Sequence, residues 1–569
     1  MRWEYILTFI VLYTIIATII KHRKLLPDYV NISGPILTIR SQRGLNTIEN
    51  LANNYNWGLW GNIGVISAII TGIIGAFFVV TSIIGIILEP NEVALQGPSD
   101  MVVIPGVNRF LPLSAAPELI LGLTIGMIVH EGGHAIYCRV GDINIKSTGV
   151  IFGALIPLGA FVEPDEESSK NADVKSQLRM YAAGIMNNYA VFAVSLVLLF
   201  VFVGVLVSPV IGIGVSTVLT DSPAEKMGLS EGDVITAVDN ETIESNDEFN
   251  NYLSNNAQTI TLDDGRTLDI PKGAYVSQTP QSTNLNIKDT IISVNGYDVK
   301  NPSELEKQFR NISDTHADIK LSDGNSATVP IGVYATAQEN TGIATDMNLD
   351  MGESTYIFEI NNERVYNGND VIDKIDNREN DNISITYLDA EENVVTTNTT
   401  YDSNDNSITM SNMISGVGTS VLGINIYPAD SFHDILTIDN SIVGNLQNIL
   451  LIVLLPLASL APMFEANFPG FTPMIQNFYT MSPIVPEFAV GIMFFGINVL
   501  FWSAWINFNL ALFNCIPTFA LDGGHILRAM SEMILGDYAS ESTIKWFVRT
   551  IQMFLLLCLL FIIFIPILL

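Results

Sequence analysis

Ile128–Arg139, IVHEGGHAIYCR, sets two histidines and a glutamate at the end of an apolar run. Ionisable side chains are costly inside a bilayer and by default mark a functional site there. Working outward, the apolar run is Pro117–Tyr137, long enough to cross a bilayer, which takes about 17–25 apolar residues. Trp3–Ile20, Asn62–Leu88, Met180–Val207 and Phe488–Leu512 meet the same test, and Phe547–Leu569 makes a sixth span. Trp3–Ile20 has the length of a signal peptide, but its charges follow the apolar run and no small-residue cleavage site does, so it is read as a retained span. The fold expected from the 569 residues is a polytopic α-helical membrane protein with about six spans plus re-entrant segments.

Short loops rich in Lys and Arg face the cytoplasm. Lys21, Arg23, Lys24, Arg40 and Arg43 follow the first span; Arg139, Lys146, Lys170, Lys175 and Arg179 lie between the third and fourth; Arg528, Lys545 and Arg549 precede the last. Those loops are therefore expected inside, which puts His130 and His134 near the cytoplasmic end of their span, and puts outside the N-terminus, the loop 89–116 with Arg109 as its one base, and the insert after Val207, which is expected to be extracytoplasmic. Leu446–Met463, LQNILLIVLLPLASLAPM, is also long enough to cross, yet Pro456 and Pro462 would interrupt a spanning helix, and a crossing would carry the following ALDGGH away from the histidines. It is read as re-entrant or interfacial, with a full crossing as the competing reading.

Acids outnumber bases 58 to 26, and 38 of the acids against 11 Lys and Arg fall between Val207 and Ser441. Such a surface repels nucleic acid and anionic lipid, which argues against a nucleic-acid partner. It fits a high-salt, halophilic archaeal host or an acidic extracellular domain. Within this acidic insert, GDVITAVDNETIESNDEFNNYL (Gly232–Leu253), KDTIISVNGYDVKNPSELEKQF (Lys288–Phe309) and ESTYIFEINNERVYNGNDVIDKI (Glu353–Ile375) repeat one pattern: apolar strand, Asn-containing turn, amphipathic helix. A further strand follows the helices, with Asp-Gly pairs marking hairpins. This α+β order resembles PDZ domains, and GIGVSTVLTDSPAEKMGLSEGD resembles the carboxylate-binding loop and following helix of the first. The expected division is 1–116 (two spans with loops), 117–207 (catalytic membrane core), 208–335 (two PDZ-like repeats), 336–440 (a third, degenerate repeat) and 441–569 (re-entrant segment and last spans). The repeats serve as docking modules or as spacers.

On a helix His130 and His134 are one turn apart and share a face, so both imidazoles can hold one metal ion while Glu131 reaches a metal-bound water. Two satisfied core histidines would leave Glu131 buried with no stated partner. Catalytic zinc takes three protein ligands and keeps one position open. The candidate third ligand is Asp522 in FNCIPTFALDGGHILRAM (Phe513–Met530), on the cytoplasmic side by the loop charges; His525 is the next candidate, expected to be a supporting residue. Cys138, Cys515 and Cys558 have neither metal-ligand nor disulfide spacing and are expected as buried free thiols.

HEGGH on one span and NCIPTFALDGG on a later one, with PDZ-like repeats between, resemble the site-2 protease family of intramembrane zinc metalloproteases, in its archaeal form. The resemblance covers Pro117–Val207 and Phe488–Met530. It implies zinc as cofactor, His130, His134 and Asp522 as its ligands, and Glu131 as catalytic base. It further implies substrate binding by Asn514 and, through AAGIMNNYAV, by Gly184 and Asn188, with Asn187 adjacent; mid-helix asparagines also bond neighbouring helices. STGVIFGALIPLGAFVEPDEE (Ser147–Glu167) is expected as a membrane-dipping hairpin, which by the same resemblance holds substrate as an added strand or is an ordinary re-entrant loop. The partners implied are the lipid bilayer and membrane-anchored proteins cut within their spans, in a multi-pass cell-membrane enzyme; a catalytically inactive scaffold binding partners through its PDZ-like domains shares every motif.

Overall fold

The structure is a computed structural model and describes all residues except 1–2, 24–25, 28, 43, 89–103, 109–110, 154–155, 377–381, 401–406, 455–467, 520 and 569. The chain forms two compact units, Met1–Ser208 with Asp430–Leu569, and Pro209–Ala429.

In the first unit, among the described residues, five helices are long and apolar enough to cross a membrane: Gly58–Leu88, Leu113–Val140, Val174–Leu206, Glu487–Asn514 and Glu541–Ile565. Most run past the expected limits because polar end residues continue the helix. Asp173, for example, caps Val174–Leu206 by accepting the Ser176 N–H at 3.1 Å. The expected span Trp3–Ile20 falls within the 20-residue helix Trp3–His22. Leu446–Met463 begins in a 13-residue helix, Ile442–Leu454; Pro456 and Pro462 lie outside the described residues.

The helix Val174–Leu206 packs against both Ala116–Val140 and Val490–Asn514, which also pack on each other. Lipid supplies no hydrophobic drive for such contacts, so close backbone approach carries them. A Cβ at Gly133 would lie 2.8 Å from the Ala183 carbonyl oxygen, and at Gly126 2.7 Å from Asn507 Oδ1. Larger residues would pry the three helices apart.

The expected hairpin exists as antiparallel strands Ile145–Gly153 and Ile156–Pro164, and it belongs to a four-stranded sheet. Its other half, Val30–Ser33 and Ile36–Ser41, comes from the segment expected only as a basic loop. Ile36 pairs with Gly153 and Ser41 with Thr148, so Ile156–Pro164 ends the sheet as an edge strand.

The second unit carries three sheets with one antiparallel plan. In the first the order is Thr267–Asp269, Thr259–Leu262, Val234–Val238, Ile213–Val218, Ile424–Tyr427; in the second Ser326–Pro330, His316–Leu321, Thr290–Val294, Ala274–Gln278, Gly418–Ser420; in the third Val394–Thr400, Asn382–Leu388, Ser354–Ile360, Val333–Ala337, Ile408–Ile414. The Asn-containing turns are tight hairpins with both central residues left-handed: Asp239–Asn240 (φ 48 and 67), Asn295–Gly296 (47 and 81) and Asn361–Asn362 (52 and 63). Asn, Asp and Gly tolerate that conformation, and it matches the strand twist. Each helix then buries its apolar stripe on its sheet, through Phe249 and Leu253, Leu305 and Phe309, and Val371.

The third repeat, expected to be degenerate, follows the same strand order as the others. The three closing strands come in reverse order from one stretch, 408–427, so the repeats are nested rather than consecutive. The segment expected as a separate 336–440 domain contains the last strand of all three sheets. The loop likened to a carboxylate-binding site is the strand Ile213–Val218 and the short helix Pro223–Met227, with Ile424–Tyr427 as the neighbouring edge strand.

Candidate metal centre

The HEGGH helix turns His130 and His134 onto one face, with ring centroids 4.8 Å apart. Their Nε2 atoms are 3.1 Å apart, and Asp522 Oδ2 lies 3.2 Å from the first and 3.4 Å from the second. Asp522 is the first residue of the helix Asp522–Leu535. Its side chain is only 16% exposed, and Oδ2 has no hydrogen-bond acceptor role filled by a protein donor. Two imidazole nitrogens and one carboxylate oxygen thus converge on a common point, with all ligand atoms within 4.8 Å of one another. That donor set is the one catalytic zinc takes, and the residues fit it.

Glu131, next on the helix, does not join the three. Its Oε2 accepts the backbone N–H of Val162 at 2.8 Å, from the edge strand Ile156–Pro164. Glu131, the ligand trio, Val162 and Asn514 all line one cleft of about 430 Å³. Asn514 is the last residue of the helix Val490–Asn514 and lines the cleft from that separate element.

The helix Val174–Leu206 forms the support behind the histidines. The Met180 carbonyl lies 2.8 Å from His134 Nδ1, so Nδ1 carries the proton and Nε2 is left to bind. Gly184 sits against both rings: a Cβ there would lie 2.6 Å from His134 Nε2 and 2.7 Å from His130 Nε2. Asn188 contacts His130, its Nδ2 3.1 Å from Nδ1. Asn187 instead accepts from Trp60 Nε1 and donates to the Val129 carbonyl, each at 3.0 Å, and ties helices together. His525 is not among the converging donors; its ring stacks on Tyr181, centroids 4.6 Å apart.

The structure therefore brings together His130, Glu131, His134, Asp522, Gly184, Asn188 and Asn514. Val162 and Met180 escaped the sequence reading because each contributes a backbone atom, which no side-chain pattern announces. The free thiols Cys138, Cys515 and Cys558 are buried, as expected.

Among curated proteins, the chain is 30% identical over 214 residues to an uncharacterized protein of Methanocaldococcus jannaschii, covering 38% of this chain and 54% of that one. It is 32% identical over 130 residues to a membrane-bound transcription factor site-2 protease homolog of Arabidopsis thaliana, covering 22% and 25%. A putative zinc metalloprotease of Clostridium perfringens is 26% identical over 154 residues, covering 23% and 44%. The chain thus spans about half or less of the length of the curated relatives it matches. The family described as Peptidase family M50 matches across residues 118–559, from the HEGGH helix past the Asp522 helix, and the chain, a multi-pass membrane protein, belongs to that family, the site-2 proteases.

Proposed function

We propose that the protein is an intramembrane zinc endopeptidase that cuts transmembrane segments of membrane-anchored proteins. The observation that carries this reading is the convergence of His130, His134 and Asp522 beside Glu131 in one cleft, within a bundle of membrane-length helices. His130 Nε2, His134 Nε2 and Asp522 Oδ2 would hold the ion. Zinc, when bound, polarises a scissile carbonyl and makes water acidic enough to attack at neutral pH.

Glu131 accepts the proton of the attacking water and delivers it to the leaving amine. A substrate helix hides its peptide bonds and must unwind locally before it can react. The edge strand Ile156–Pro164 offers an unwound segment main-chain partners beside Glu131, and Asn514 offers an amide on the same cleft. The nested, PDZ-like repeats serve as docking modules that select among substrates, extracytoplasmic by the loop charges, while the zinc site lies toward the cytoplasmic side.

The test is cleavage of a panel of single-span substrates by the purified protein in zinc-containing proteoliposomes, with cut sites mapped by mass spectrometry. Cuts inside the apolar segment by the unaltered protein, lost in Glu131→Gln, are expected. Intact substrates throughout, with partners still captured, would instead support an inactive scaffold.

A further inference from the structure

The two histidines are supported by opposite kinds of group. Behind His134, the Met180 carbonyl can only accept, which fixes the ring proton on Nδ1. Facing His130 Nδ1 at 3.1 Å is Asn188 Nδ2, which can only donate. In that pairing the neutral His130 ring carries its proton on Nε2, the atom 3.2 Å from Asp522 Oδ2, and has no lone pair there for a cation. A second mismatch sits on the same side chain. Asn188 is fully buried, and its Oδ1 has no hydrogen-bond partner.

One rotation answers both, and it moves Nδ2 to the place Oδ1 holds here. The two ends of an amide are alike in size, so a half-turn about the Cβ–Cγ bond keeps the packing and exchanges acceptor for donor. Oδ1 then accepts from His130 Nδ1–H, and Nε2 is free. We infer that Asn188 is the positioning residue for His130: through Oδ1 it holds the ring in the tautomer that ligates through Nε2, as the Met180 carbonyl does for His134. A metal-binding histidine characteristically donates its other N–H to such an acceptor, and removing the acceptor weakens metal binding about 10–100-fold. Asn188 thereby acts on the ligand, not on the substrate. This inference deepens the proposed function and rests on its metal reading of the site.

The test is zinc affinity by chelator competition on the full chain in detergent. Asn188→Asp presents acceptors only and is expected to hold zinc as tightly as the unaltered protein, within about threefold, whereas Asn188→Leu, similar in size but without an acceptor, is expected to lose about 10–100-fold. Equal weakening in both variants would overturn the inference in favour of a donor or packing role, and full affinity in Asn188→Leu would overturn it outright. Should Asn188→Leu not fold, NMR of isotope-labelled histidine rings in the zinc-loaded, unaltered protein decides: a proton on His130 Nδ1 is expected, and one on Nε2 overturns the inference. No zinc uptake by the unaltered protein would overturn the metal reading, an outcome distinct from failure at Asn188 alone.

Discussion

The backbone N–H of Val162 lies 2.8 Å from Glu131 Oε2, so a carboxylate on one membrane helix is held by the last strand of a sheet. Val162 pairs with Thr148 in the neighbouring strand, and its N–H points away from that partner toward Glu131. The hydrogen bond aims the carboxylate without using a metal-ligand position. Glu131→Gln keeps the size and polar tip but cannot take up a proton, so kcat is expected to fall by ~10²–10⁴. Zinc content should stay at that of the unaltered protein. Parallel loss of zinc would show that Glu131 is a ligand and not the base.

Val162→Pro isolates the strand's part in this. Proline is tolerated on an edge strand where the N–H is not used in the ladder, so the sheet should persist while Glu131 loses its donor. A hydrogen bond to a charged group contributes about 1.5–3 kcal/mol, and a fall in kcat of roughly tenfold or more is expected with zinc unchanged. Undiminished kcat would mean that the contact does not orient the base.

Asp522 differs from Glu131 in role although both are carboxylates. Asp522→Asn removes the only anionic member of the trio His130, His134 and Asp522. Metal content should therefore drop together with activity. Full zinc and normal proteolysis in this variant would place the third ligand elsewhere, and His525, held in its stack on Tyr181, would have to reorient to supply it.

Two glycines of the site make an opposed pair. A Cβ at Gly184 would lie 2.6 Å from His134 Nε2, whereas one at Gly132 meets nothing within 4 Å. Gly184→Ala is expected to push into both rings and lower zinc occupancy. Gly132→Ala should leave zinc and activity intact, and helix propensity favours it by about 1 kcal/mol. Metal analysis of the two purified variants checks this, and equal zinc content would show that the rings have room to withdraw.

Much of the centre was legible because helical periodicity is local: His130 and His134, four apart, had to share a face. Asp522 was legible through its own motif. Asn188 was visible as a residue of the site, but its job depends on which ring nitrogen it meets, a matter of packing between helices. The strands Val30–Ser33 and Ile36–Ser41 were hidden by their basic surroundings, and the second of them pairs with Ile145–Gly153, far along the chain. The closing strands Gly418–Ser420 and Ile424–Tyr427 have 3 and 4 residues, too short for any alternation to register.

That nesting makes the third repeat removable in a way that consecutive domains would not predict. Val333 pairs with Ile414, and the Ser415 N–H donates to the Gly332 carbonyl at 2.8 Å, so the two ends of the innermost module are adjacent. Deleting 333–414 and joining Gly332 to Ser415 should leave the first two sheets complete, because Ile424–Tyr427 and Gly418–Ser420 remain. Deleting 338–427 takes a similar length but strips the closing strand from every sheet, exposing the backbone of Ile213–Val218 and Ala274–Gln278 along a new edge. Limited proteolysis of the two deletion variants in detergent, with the rest of the chain retained, should find the first two repeats resistant in the former and readily cut in the latter. Equal resistance would mean that the closing strands add nothing to the repeats they complete.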